Sequence, residues 1–149
     1  LVGGHCLPVD PYYFSYICKK KKFNTRITLA GRYINDQMAY VVRDIIKSKL
    51  KEKKLKKKAK VLICGLTYKK NVADLRNSLA FKIFKMLKNK YIKGFDPLID
   101  LNTAKNNGLL IKENQIKQFD VFIVLTNHSK IKKILNKIKK KKIKFQIIA

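Results

Sequence analysis

The chain has 149 residues, 46% of them apolar, which is about one domain's length of chain with enough hydrophobic material for a core. It carries 36 basic residues against nine acidic ones, for a net charge of +27, and three unevenly spaced cysteines. That cysteine pattern excludes a disulfide ladder and points to a reducing, cytoplasmic setting, while no apolar run approaches the ~20 residues needed to cross a bilayer and no secretory leader opens the chain.

Residues 1–12 read as a loop. Gly3-Gly4 permits positive φ and a close backbone approach. Pro8 and Pro11 interrupt regular structure, and Pro11 suits the first turn of a helix. In Gly3-Gly4-His5-Cys6 a thiol follows two residues that put no side chain in front of it, and Asp10 follows four positions later. A thiolate so presented is suited to attacking a carbonyl carbon, with the carboxylate near enough in sequence to handle a proton or water. His5, Cys6 and Cys18 lack the spacing of a structural zinc site, and no metal is predicted.

From Asn24 or Thr25, either of which is a fitting cap, the period becomes helical. Ile27, Ala30, Ile34, Met38, Val41, Ile45 and Leu50 form an apolar stripe. A helix reaching residue 50 would be about 40 Å long, which suits a connecting or dimer-forming helix; a break near Gly31 is the alternative. Residues 49–60 carry eight lysines and read as a charged helix end followed by a linker with a solvated face. The overall basicity is the footprint of a nucleic-acid surface, but only four of the 36 bases are arginine and the aromatic residues do not interleave with the lysines. Nucleic-acid binding is therefore not the expectation.

Beyond residue 60 the pattern is α/β. Val61–Cys64 is a short apolar strand ending at Gly65, and Leu79, Ile83, Phe84 and Leu87 mark a helix. Tyr91–Phe95 is a second strand, residues 113–119 a helical turn, and Val121–Leu125 a third strand. Ile131, Ile134, Leu135 and Ile138 mark a lysine-rich amphipathic helix, and Phe145–Ala149 begins a fourth strand. This order predicts a Rossmann-like parallel sheet with ligands at the carboxyl ends of its strands: 65–71, 96–98 and 126–129. The first of these loops lacks GxGxxG, so a dinucleotide is not its expected ligand. The expected division is 1–58, the thiol loop and long helix, and 59–149, the sheet domain.

Five blocks in order, GGHC-x-PVDPYY (3–13), AGRYIND (30–36), GLTYK (65–69), DLRNS (74–78) and FDP (95–97), resemble the UDP-glucose/GDP-mannose dehydrogenase family. His before Cys, PYY and AGRYIND are similar to its UDP-N-acetylhexosamine branch. The resemblance implies oxidation of a UDP-sugar 6-hydroxyl to a carboxylate with two NAD, through a thiohemiacetal and thioester on Cys6, toward uronic acids for bacterial surface polysaccharide. It implies that Asp10 assists proton and water handling, that Cys6, Leu7, Pro8, Val9 and Arg76 lie beside NAD, and that Gly3, Gly4, Tyr68 and Lys69 contact the UDP-sugar. It also implies a homodimer through the long helix and a UDP-binding sheet domain. The family's NAD fingerprint and upstream catalytic lysine have no counterpart in these residues, so the chain reads as a C-terminal fragment and is expected to show no dehydrogenase turnover alone. The alternatives are an inactive remnant that only dimerises or binds UDP, and a basic nucleic-acid module. Lys70 reads as solvated surface and Cys18 and Cys64 as small buried hydrophobes. Asn35 and Asp36 read as capping or orienting residues, and His128 stands at a strand end without an assigned role.

Overall fold

The computed structural model describes residues 1–53, 59–110 and 112–138, and the backbone of 143–146. Parts of the predicted linker, at 54–58, and of the predicted last strand, at 147–149, lie outside the described residues. Helix α1 (Asp10–Lys20) begins with Pro11 in its first turn and buries none of its residues. Helix α2 (Arg26–Glu52) follows after a short turn. Then come strand β1 (Val61–Cys64), helix α3 (Leu79–Leu87), strand β2 (Ile92–Phe95) and helix α4 (Leu101–Asn107). A 3-10 turn over Glu113–Gln118, strand β3 (Val121–Val124), helix α5 (Ser129–Asn136) and strand β4 (Ile143–Gln146) complete the order.

The four strands form one parallel sheet in the order β2-β1-β3-β4. Alternation along the strands sends side chains to opposite faces, and both faces are covered, as parallel sheets require. Val61 and Ile63 of β1, with Val121 and Ile123 of β3, share a core with Ile83 and Phe84 of α3 and Ala39, Val42 and Ile46 of α2. Leu62 and Cys64, with Phe122 and Val124, pack on the other side against Ile116, Ile131 and Leu135. Burial of strand and helix faces at about 25 cal/mol per Å² is what holds these layers.

Helix α2 is unbroken through Gly31, because that glycine faces open space and nothing there demands a kink. Its buried positions are Arg32, Ala39, Val42 and Ile46. The predicted stripe is therefore split: Met38 and Leu50 pack, half-buried, against the core, while Ile27, Ile34, Val41 and Ile45 are exposed. Thr25 occupies the N-cap position of α2, but its hydroxyl donates to Ser15 Oγ (2.6 Å) instead of capping the helix, tying α1 to α2. Helix α4 had no counterpart in the sequence reading. Its seven residues, LNTAKNN, are mostly polar, and it forms because Asp100 caps it by accepting from Thr103 N–H. The last strand begins two residues earlier than predicted, at Ile143. Cys18 is half-buried, since α1 offers no interior, whereas Cys64 is sealed and burial pushes its thiol pKa upward.

Candidate functional site: a thiol loop docked on the strand ends

Strand order reverses direction around β1, so the crevice between the carboxyl ends of β1 and β3 is the place where a doubly flanked sheet binds ligands. The thiol loop is brought to the mouth of this region by contacts from three separate sequence blocks. Asn35 on α2 grips the backbone of Val2 at both ends: its Oδ1 accepts from Val2 N–H (2.8 Å) and its Nδ2 donates to Val2 C=O (3.0 Å). Gly4 N–H donates to Arg76 C=O (3.0 Å), and Asn77 Nδ2 donates to Gly4 C=O (2.9 Å). The glycine pair is required by this docking. A Cβ on Gly3 would stand 2.7 Å from Asn77 O and 2.8 Å from Tyr68 Cβ, and Gly4 has φ +99° with the Tyr68 ring against it.

The chain then turns into α1. Cys6 C=O accepts from the N–H groups of Val9 and Asp10 (2.8 Å each), so Cys6 sits one turn ahead of the helix, with its side chain exposed. A cavity of about 350 Å³ is lined by Gly3, Gly4, Cys6, Leu7, Tyr68 and Lys69, among others. The structure thus places the thiol and all four residues expected to contact substrate around one cavity. Pro8 and Val9 line a neighbouring cavity of about 400 Å³, on the side of Arg32 and Lys82. Asp10 opens α1, exposed and outside the lining of both. Arg76 is largely exposed and bonded to Asp74 (Nη2 to Oδ2, 2.7 Å), which holds that carboxyl below its ordinary value. Its guanidinium lies within electrostatic reach of Cys6 and Tyr68.

The segment that carries Tyr68 and Lys69 is flanked by a buried polar cluster. The Asp96 Oδ2 atom accepts from the N–H groups of Leu66 (2.6 Å) and Thr67 (3.1 Å), and Oδ1 accepts from Leu98 N–H (2.9 Å). His128 is fully buried; its Nδ1 accepts from Asn71 N–H (2.8 Å). The ring proton therefore resides on Nε2, which faces Asp96 Oδ2 (3.1 Å) and Thr67 Oγ1 (2.9 Å). Burial pushes the Asp96 pKa up, but the hydrogen bonds from His128, Leu98 and Leu66 outweigh it and leave the carboxyl below its ordinary value. The gripping roles of Asn35 and Asn77 and the pairing of Asp96 with His128 are the functional features that the sequence reading missed. Asn35, Asn77 and Asp96 carried one signal, their place inside the family blocks; His128 lies outside every block and carried none.

Among the described residues no group of three or more His, Cys, Asp or Glu side chains is arranged to hold a metal, and no helix is long and apolar enough to cross a membrane. Residues 62–149 match the UDP binding domain of the UDP-glucose/GDP-mannose dehydrogenase family. The chain is 35% identical over 140 residues to a UDP-N-acetyl-D-glucosamine 6-dehydrogenase of Salmonella typhi, covering 90% of this chain and 33% of that protein. It is 42% identical over 107 residues to a Pseudomonas aeruginosa protein of the same name, covering 70% and 25%. Among solved structures it superposes on the UDP-D-ManNAc dehydrogenase of Pyrococcus horikoshii with a TM-score of 0.71 at 25% identity, over 97% of this chain and 34% of that one. The chain thus spans a quarter to a third of the length of these relatives. With a parallel sheet of this order, the thiol loop docked on it and the matched sheet domain all in agreement, the chain belongs to the UDP-glucose/GDP-mannose dehydrogenase family.

Proposed function

We propose that this chain is the UDP-binding and thiol-bearing part of a UDP-N-acetylhexosamine 6-dehydrogenase. By itself it holds the nucleotide and self-associates along α2; oxidation belongs to the whole enzyme. The observation that carries this reading is the shared cavity, in which Cys6 and Lys69 face the same space. Lys69 supplies a cation for the diphosphate and Tyr68 a flat wall beside Gly3 and Gly4. In the whole enzyme the Cys6 sulfur adds to the C6 aldehyde carbon and holds it as a thiohemiacetal. After the second oxidation C6 is a thioester, which water cleaves to the carboxylate, returning the thiol. Asp10, one turn beyond Cys6, is assigned to guiding that water and its proton. NAD, when bound, supplies the hydride acceptor for both oxidations. The exposed Leu7 and Arg76, one apolar and one cationic, suit one edge of a dinucleotide; the described residues contain no glycine-rich phosphate loop of the GxGxxG kind.

Calorimetric titration of the chain with UDP tests the binding half. Saturable binding that weakens about tenfold in Lys69→Ala is expected, from loss of one charge-assisted contact; absence of saturable binding overturns it. The catalytic half is tested in the complete enzyme joined to its NAD-binding part, where Cys6→Ala is expected to abolish uronate formation. An inactive remnant makes the same prediction for UDP and parts from this reading only there, by giving no turnover with Cys6 intact.

A further inference from the structure

The residues facing the cavity from the sheet, Tyr68 and Lys69, sit on an arc of chain pinned on both sides. On the β1 side, Leu66 and Thr67 donate their N–H groups to Asp96 Oδ2, and Thr67 C=O accepts from Thr126 Oγ1 (2.7 Å). On the far side, Asn71 donates its N–H to His128 Nδ1 and its side chain bonds Ser129 twice, through Nδ2 to Oγ (3.0 Å) and Oδ1 from N–H (2.9 Å). Asn71 holds φ +60°, a conformation that closes the arc. Tyr68, Lys69 and Lys70 alone lie between the two anchors. His128 links them by sharing its Nε2 proton between Asp96 Oδ2 and Thr67 Oγ1, while the Thr67 hydroxyl donates to Lys69 C=O (3.4 Å).

Both Asp96 and His128 are out of reach of any ligand: their side chains have no exposed surface. An apolar pair would satisfy the packing at lower desolvation cost. What an apolar pair would lack is directional hold on the backbone N–H groups of residues 66, 67 and 71. We propose, resting on the UDP-binding reading above, that Asp96 and His128 are positioning residues which fix the 65–71 loop so that Tyr68 and Lys69 are presented to the diphosphate beside Cys6.

The full chain is titrated with UDP and with UMP, and amide exchange is followed at residues 68–71, in wild type, Asp96→Asn, His128→Ala, His128→Asn and Thr67→Val. Ile83→Ala, a core change on α3 that removes none of the loop's hydrogen bonds, serves as the control for lost stability. UDP affinity is expected to fall about tenfold in Asp96→Asn and His128→Ala, as for loss of a buried charged contact. UMP affinity is expected to fall less, and exchange at 68–71 to quicken while α2 stays protected. His128→Asn, which keeps an acceptor for Asn71, recovers part of the loss. Thr67→Val, which removes the hydroxyl and leaves Asp96 and His128 in place, is expected to quicken the loop to a smaller degree. The proposal is overturned if loop exchange and UDP affinity are unchanged in these variants, or if Ile83→Ala loses as much UDP affinity as they do. If wild type binds no UDP, the binding reading falls on its own. Loop exchange then still decides whether the pair positions the loop, and unchanged exchange overturns that as well.

Discussion

Gly65 ends β1 with φ +77°, and a Cβ there would stand 2.0 Å from Thr126 O, a backbone atom that cannot step aside. Gly65→Ala is accordingly expected to cost more than about 2 kcal/mol, read as a lowered urea midpoint in equilibrium unfolding; an unchanged midpoint would show that the β1–β3 junction is looser than described. Asp96 sets an acid limit. Its folded pKa lies below the ordinary 3.8, so its contribution is complete above that value and is lost as pH falls through the lower folded value. Stability measured in screening salt is expected to stay level with respect to this group above about pH 5 and to drop below about pH 4, with a shallower acid drop in Asp96→Asn. The sequence made Cys6 legible because two glycines and a family block surround it. It left His128 unread because a lone histidine at a strand end carries no local sign that a carboxylate 32 residues away will meet it.

Helix α2 presents two apolar faces. Ala39, Val42 and Ile46 pack into the core with α3, while Ile27, Ile34, Val41 and Ile45 line a second face, open to solvent. A row at spacings of seven, seven and four has the repeat of a helix-pairing seam, and it supports the dimer proposed above. Ile34→Glu, at a position 60% exposed in the single chain, is expected to leave the fold intact and to weaken self-association by at least about tenfold; sedimentation velocity reads this directly. A wild-type chain that remains monomeric at high concentration would remove α2 as the interface. The helical period was readable from the spacing of apolar residues, and the exact stripe was not. With apolar positions on both faces, periodicity alone does not say which face a neighbouring helix will cover.

Across the whole molecule, 32 lysines against nine acids make a field that attracts any polyanion at low salt. If this charge is a solvated surface and not a recognition site, retention on duplex DNA is expected to disappear by about 0.15 M salt; tight binding that persists there would favour a nucleic-acid role. What the sequence determined by itself was the succession of strands and helices, all but the short polar α4, and the family blocks, since both are written in local spacing: period two or a short apolar run for a buried strand, period 3.6 for a helix, glycines beside the thiol. What only the tertiary structure decided was how those blocks meet. Asn35 holds Val2, Asn77 and Arg76 hold Gly4, and Asp96 reaches His128, because the order β2-β1-β3-β4 sets the strand ends side by side and lays α2 across α3. Such meetings depend on long-range packing and hydrogen bonds between residues far apart in the chain, which no local pattern encodes.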